Sequence, residues 1–283
     1  MDLRDGAWFD AMYNNRARVP EHPGILARWV ADSAKARIEG PCELDLAYGT
    51  EPRERLDVFP APNGDAPVLV FVHGGYWRAL DKSDHSFVAP AFTRDGACVV
   101  IPSYTLAPAA TIPQITLQVA RAVAWTWHNI HRFGGDRRRI VVAGHSAGGQ
   151  LAAMMLSCLW PQLDPALPRD TVCGALAISA LHDLDPIMRT PHLQASLHLD
   201  SGQVQRASPA RLPAPRQGTL YSVAGGAESA EYHRLNRLIQ EAWGVRRVPV
   251  CELVPGRNHF SVLDALVEPN HRVHQLALDL LRA

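Results

Sequence analysis

The 283-residue sequence predicts an α/β fold, a mostly parallel central sheet with helices on both faces. Three observations predict it. Apolar, β-branched runs at 68–72, 97–101, 140–143, 173–178, 220–224 and 248–254 have the length of buried strands, and helical segments separate them. Glycines follow four of these runs within two residues, at Gly74, Gly144, Gly225 and Gly256, as turns at strand ends require. Hydrophobic residues make up 47% of the chain and the formal net charge is zero, which suits one soluble core.

In chain order, residues 10–38 are helical in part and precede the core, either as packing helices or as a small lid within an N-terminal segment 1–42. The run 68–72 is apolar throughout, so it is a strand buried on both faces. A helix over 115–131 stops at Phe133-Gly134-Gly135-Asp136 and leads into the strand 140–143. Residues 147–159 form the next helix, and 173–178 the next strand. The stretch 201–218 is rich in Pro, Arg and Ser and reads as a surface loop near the mouth of the site. A strand over 219–224, an amphipathic helix, a strand over 248–254 and a periodic helix over 262–281 complete the chain. No repeat and no second domain emerges, so one domain spans 1–283.

The segment Ile140-Val141-Val142-Ala143-Gly144-His145-Ser146-Ala147-Gly148 has the form of a nucleophile elbow. A serine on a strained strand-to-helix turn needs neighbours without bulk two residues before and after, and Gly144 and Gly148 supply that. The following helix points N–H groups toward developing negative charge. Ser146 is therefore the candidate nucleophile. Upstream, His73-Gly74-Gly75-Tyr76-Trp77 follows the strand 68–72, in the order that hydrolases place a glycine loop donating to an oxyanion. The expected donors are the N–H groups of Gly75, Tyr76 and Ala147.

A base and an acid must follow the serine, acid first. Of 13 histidines, His259 alone sits on a turn after a late strand. His271 and His274 lie within the last predicted helix, and His145 is fixed beside the serine pointing away from it. His128, His131, His192 and His198 have no comparable context. For the acid, Glu228 comes first after Gly225 and Gly226 and leads Glu231, whose place suits a first-turn carboxylate or capping box. Asp183 and Asp185 follow a strand that is one too early.

The pairing of His73-Gly74-Gly75-Tyr76-Trp77 with Gly144-His145-Ser146-Ala147-Gly148 and Ser179-Ala180-Leu181-His182-Asp183-Leu184-Asp185-Pro186 resembles the arylformamidases, or kynurenine formamidases, of the α/β-hydrolase superfamily. The likeness covers nearly the whole chain. It implies two opening strands at 44–49 and 56–60, forming an antiparallel edge, and an acid loop at Ser229-Ala230-Glu231-Tyr232-His233. Two departures stand out: glutamate at 228 and asparagine at 258, where the family commonly has aspartates. The resemblance implies hydrolysis of N-formyl or short N-acyl arylamides, such as N-formylkynurenine in tryptophan catabolism, through an acyl-enzyme. Alternatives are a carboxylesterase or carbamate hydrolase acting on short-chain aryl esters, and a catalytically inactive binding protein.

Tyr76, Trp77, Tyr104 and Phe260 are the expected aromatic wall for an aryl amide or ester. No basic stripe points to nucleic acid, and no apolar run reaches the roughly 18 residues of a membrane span. The start Met1-Asp2-Leu3-Arg4-Asp5 is too polar for a signal peptide. Five dispersed cysteines suit reduced, mostly buried thiols in a cytoplasm. No motif calls for a metal or another cofactor, and a homodimer is allowed but unmarked.

Overall fold

The computed structural model describes residues 5–283, so most of the polar start read at Met1 to Asp5 lies outside the described residues. Among the described residues eight strands form one sheet: β1 (Glu43–Ala47), β2 (Arg55–Phe59), β3 (Ala66–Val72), β4 (Cys98–Pro102), β5 (Gly135–His145), β6 (Gly174–Ile178), β7 (Thr219–Gly225) and β8 (Val250–Val254). Their order is β1-β2-β4-β3-β5-β6-β7-β8. β1 pairs antiparallel with β2, and β2 with β4, while every pair from β4 through β8 is parallel. This is the α/β-hydrolase arrangement expected from the sequence, antiparallel edge included.

The apolar run of β3 shows why its residues do not alternate with polar ones. Val68, Val70 and Val72 face one core layer, and Leu69 and Phe71 face the other. Both sides of the strand are therefore covered, as a parallel sheet requires. Three helices precede the sheet, α1 (Gly6–Tyr13), α2 (Asn15–Arg18) and α3 (His22–Glu39), and they form an N-terminal cap. The later helices are α4 (Ala89–Arg94), α5 (Ile112–Asn129), α6 (Ala147–Leu156), α7 (Trp160–Leu163), α8 (Asp185–Met188), α9 (Pro191–Leu197), α10 (Ser201–Ala207), α11 (Ala230–Trp243), α12 (Asp264–Val267) and α13 (Arg272–Arg282). Helices α5, α6 and α11 cover one face, and α4 and α13 the other. No helix of the described residues is long and apolar enough to cross a membrane.

Three sequence expectations need correction. The last helix is broken: α12 ends at Val267 and α13 begins at Arg272, because Pro269 has no N–H to continue the ladder. The segment 201–218 opens as helix α10, capped by Asp200, whose side chain accepts the Gln203 N–H at 2.7 Å. Its remainder lies away from the catalytic loops: residues 212–217 line a separate cavity of about 720 Å³ with Leu156, Trp160 and Arg169. Finally, only Cys98 is buried; Cys42, Cys158 and Cys251 are half-buried and Cys173 is exposed.

Candidate active site

Ser146 stands between the end of β5 and the start of α6, with φ 57° and ψ −118°. That left-handed backbone is costly for a non-glycine residue and is the conformation of a nucleophile elbow. The turn is held from outside, since the Ser146 N–H donates to Ile178 O at 2.8 Å. It is also sterically closed. A Cβ on Gly144 would strike Gly148 O, and one on Gly148 would strike Val72 O. Both glycines are thus required by close backbone approach.

His259 arrives on the turn after β8. Its Nε2 lies 3.1 Å from Ser146 Oγ and its Nδ1 lies 2.7 Å from Glu228 Oε2, across 113 and 31 residues of sequence. With Nδ1 facing a carboxylate, the ring proton sits on that nitrogen and Nε2 is left to accept from the serine. Asn258 organizes this turn: its Oδ1 accepts the N–H groups of Phe260 (3.0 Å) and Ser261 (2.8 Å). Its Nδ2 donates to Glu21 Oε1 at 3.1 Å, a bond that an aspartate could not make. This departure from the family pattern ties the base loop to the cap.

Glu228 is buried, and its other oxygen is anchored. Oε1 accepts the Gly225 N–H at 2.6 Å and the Ser179 hydroxyl. Glu231 is engaged elsewhere, with Arg234 and the Tyr13 hydroxyl (2.8 Å). Asp183 pairs with Arg211 and Asp185 with Arg189. Of the four carboxylates weighed in the sequence, the structure brings only Glu228 to His259.

The loop after β3 takes left-handed values at Gly75 (φ 100°), Tyr76 (φ 50°) and Trp77 (φ 53°). The N–H groups of Gly75, Tyr76 and Ala147 donate to no protein acceptor among the described residues. Gly74 brings the loop against the nucleophile: a Cβ there would lie 3.1 Å from Ser146 Cβ. Gly75, Tyr76, Ser146, His259 and Phe260 line one cavity of about 290 Å³.

Two of the expected wall residues are not in that wall. Trp77 and Tyr104 are fully buried behind the loop. The Trp77 indole donates to Gln150 Oε1 at 3.1 Å. Tyr104 stacks on His73 with ring centroids 4.3 Å apart, and its hydroxyl donates to His73 O at 2.9 Å. They support the glycine loop from beneath. Tyr76 lines the cavity, but its hydroxyl is tied to Tyr13 O (2.7 Å), Tyr232 OH (2.7 Å) and Asn15 Nδ2 (3.0 Å).

Sequence reasoning missed this second layer. Tyr232 lies over the His259 ring at 4.7 Å, and His145 lies against it at 4.8 Å. Burial, then the nearby His259 ring, pushes the His145 pKa well below the ordinary imidazole value, so this ring is neutral. Its Nε2–H donates to His259 O at 2.7 Å and holds the base loop. Burial, then the Glu228 charge, pushes the Tyr232 hydroxyl upward, so it stays protonated. Ser179 did carry a signal, because it ends the strand before the acid's strand. Tyr13 and Asn15 carried none.

A family model for the α/β-hydrolase fold matches residues 69–211, from β3 past the elbow. The chain belongs to the α/β-hydrolase-fold family. Among curated relatives of this family, the kynurenine formamidase of Danio rerio is 30% identical over 87% of this chain and 84% of its own length. Esterase LipQ of Mycobacterium tuberculosis is 33% identical over 62% of this chain and 43% of its own length. Among solved structures, a putative thioesterase from Silicibacter sp. TM1040 superposes with a TM-score of 0.84 at 29% identity, covering 97% of this chain and 99% of that one. This α/β-hydrolase is related to kynurenine-formamidase-like and esterase homologues, and it is a serine hydrolase.

Proposed function

We propose that this serine hydrolase cleaves short-chain aryl esters through an acyl-enzyme, with Ser146 as nucleophile, His259 as base and Glu228 as the orienting acid. The line from Ser146 Oγ to His259 Nε2 (3.1 Å), and from Nδ1 to Glu228 (2.7 Å), carries this reading. His259 takes the serine proton as Oγ attacks the carbonyl carbon, and Glu228 stabilises the imidazolium. The N–H groups of Gly75, Tyr76 and Ala147 receive the oxyanion; losing one such donor costs about 3 kcal/mol of barrier. His259 then protonates the leaving group, and water repeats the attack. The cavity of about 290 Å³ sits at the small end of ligand sites, which suits one aromatic ring and a short acyl group.

A second reading, hydrolysis of N-formyl or short N-acyl arylamides such as N-formylkynurenine, is favoured by the 30% identity to a kynurenine formamidase over most of both chains. A place in tryptophan catabolism follows only from this second reading. The same groups serve both reactions, since an aniline leaves more readily than an aliphatic amine. Carbamates fit the same chemistry. The five free thiols support a reducing compartment such as the cytoplasm. One domain with helices α1 to α3 as a lid is part of the proposal. It is supported by the bonds from Tyr13 and Asn15 to Glu231, Tyr76 and Tyr232. Every group named comes from one chain, so monomer and homodimer are both compatible.

The test is fluorophosphonate labelling with turnover of 4-nitrophenyl acetate and N-formylkynurenine. Labelling and ester turnover are expected in the parent and are lost in Ser146→Ala, which keeps its thermal midpoint. More than a few per cent residual kcat in that variant refutes the nucleophile. A kcat/KM for N-formylkynurenine above that for the ester transfers the assignment to the second reading.

A further inference from the structure

The rim of the Ser146 cavity carries positive charge that no group among the described residues neutralises. Arg16 and Arg78 both line it, together with Asn15, His192 and Phe260. Arg78 Nη1 donates to His192 O (2.8 Å) and Ser196 Oγ (2.7 Å), which fixes the guanidinium plane against helix α9. Its Nε–Nη2 edge has no acceptor among the described residues. That edge offers two parallel N–H donors, the fork that engages a carboxylate in bidentate fashion. The nearby acid is already occupied, since Asp10 Oδ1 takes the His192 ring at 2.6 Å and the His192 N–H at 3.2 Å. Burial, with the like charge of Arg16 adding to it, depresses the Arg78 pKa. A half-buried arginine beside another arginine, with no acid paired to it among the described residues, is a cost that a bound anion removes.

We propose that this cavity selects aryl esters and amides whose aromatic leaving group carries a carboxylate, with Arg78 as the specificity-determining residue and Arg16 adding longer-range attraction. The inference rests on the serine-hydrolase reading above. It adds no new bond chemistry: the acyl C–O bond of an ester or C–N bond of an amide breaks, and water gives its hydroxyl to the acyl carbon and its proton to the departing oxygen or nitrogen.

The test compares 4-acetoxybenzoate with the nearly isosteric 4-acetoxybenzamide on the parent, Arg78→Gln, Arg78→Lys and Arg16→Gln. A ratio of kcat/KM values cancels intrinsic reactivity and any general damage to the enzyme. The carboxylate-to-carboxamide ratio is expected to fall about tenfold or more in Arg78→Gln, as loss of a charge-assisted bidentate contact implies. Arg78→Lys, which keeps the charge without the fork, should lie between. Arg16→Gln should give a smaller fall that added salt masks. An equal ratio in parent and Arg78→Gln overturns the proposal. A second arm needs no turnover: calorimetry of benzoate against benzamide on the parent and Arg78→Gln. If the parent cleaves neither ester, the hydrolase reading fails and this arm decides alone. Benzoate binding weakened by Arg78→Gln supports the proposal; absent or unaffected binding overturns it.

Discussion

Replacing Glu228 with glutamine should disable the enzyme while barely changing its shape, and the hydrogen bonds say why. Oε1 accepts from the Gly225 N–H at 2.6 Å and from the Ser179 hydroxyl, so in Glu228→Gln the amide oxygen must occupy that position. The amide NH2 then faces His259 Nδ1, where Oε2 now accepts at 2.7 Å. A donor there forces Nδ1 to be the acceptor and moves the ring proton to Nε2. The nitrogen 3.1 Å from Ser146 Oγ would then carry a hydrogen and could not take the serine proton. The same tautomer failure in another Ser-His-acid triad lowers kcat by about 10⁴-fold, or roughly 5 kcal/mol in the barrier. The assay is kcat for 4-nitrophenyl acetate at neutral pH, with thermal unfolding as the control for folding. A kcat within tenfold of the parent, in a folded variant, would refute the assigned tautomer and with it the role of Glu228.

Two further outcomes concern the scaffold. Gly148→Ala should place a methyl against Val72 O and His73 O (2.6 Å from the latter). A loss of about 3 kcal/mol is expected, a fall of roughly 5–10 °C in the thermal midpoint, and a fall under 2 °C would contradict the close approach. His182 is buried with Nδ1 unpartnered, and burial lowers its pKa to about 3. The unfolded chain binds this proton below about pH 6.5 and the native chain does not, so stability is complete above that pH and falls by about 1.4 kcal/mol per unit as pH drops toward 3. Denaturant unfolding at pH 6.5 and 4.5 should therefore show the parent losing about 2 kcal/mol more than His182→Asn, the unfolded-state histidine being already half protonated at the upper pH. Equal losses would disprove the burial argument.

How much of this was legible in the sequence depends on whether a residue's meaning is local. The strand ends were legible because an apolar run followed by glycines says where the chain turns at the sheet edge. Ser146, His259 and Glu228 were found as strand-end residues, although tertiary folding alone brings them within hydrogen-bonding distance. Trp77 and Tyr104 were misread because an aromatic beside a catalytic loop has the same local appearance whether it lines a cavity or supports the loop. Only burial decides, and both are fully enclosed. The break before α13 was readable at Pro269, and helix α10 at its Asp200 cap, yet the helical period outweighed the first signal and composition the second. Tyr13 and Asn15 were beyond reach for a different reason. Their partners Glu231 and Tyr232 lie 218 and 217 residues away, and no period or motif links them.

The buried rings around His259 have an electrical role as well as a packing one. In the proposed mechanism His259 becomes an imidazolium, and Glu228 is the carboxylate bonded to it. The His145 ring is 4.8 Å away. Two positive charges at that separation would repel by about 3 kcal/mol at an effective dielectric constant near 20, enough to slow the reaction more than a hundredfold. Burial prevents this by keeping His145 neutral. The neutral ring still has one N–H, which it gives to His259 O at 2.7 Å. His145 therefore holds the base loop without competing with the charge that forms there. Its position next to Ser146, at the end of a strand covered on both faces, is what makes both effects available at once.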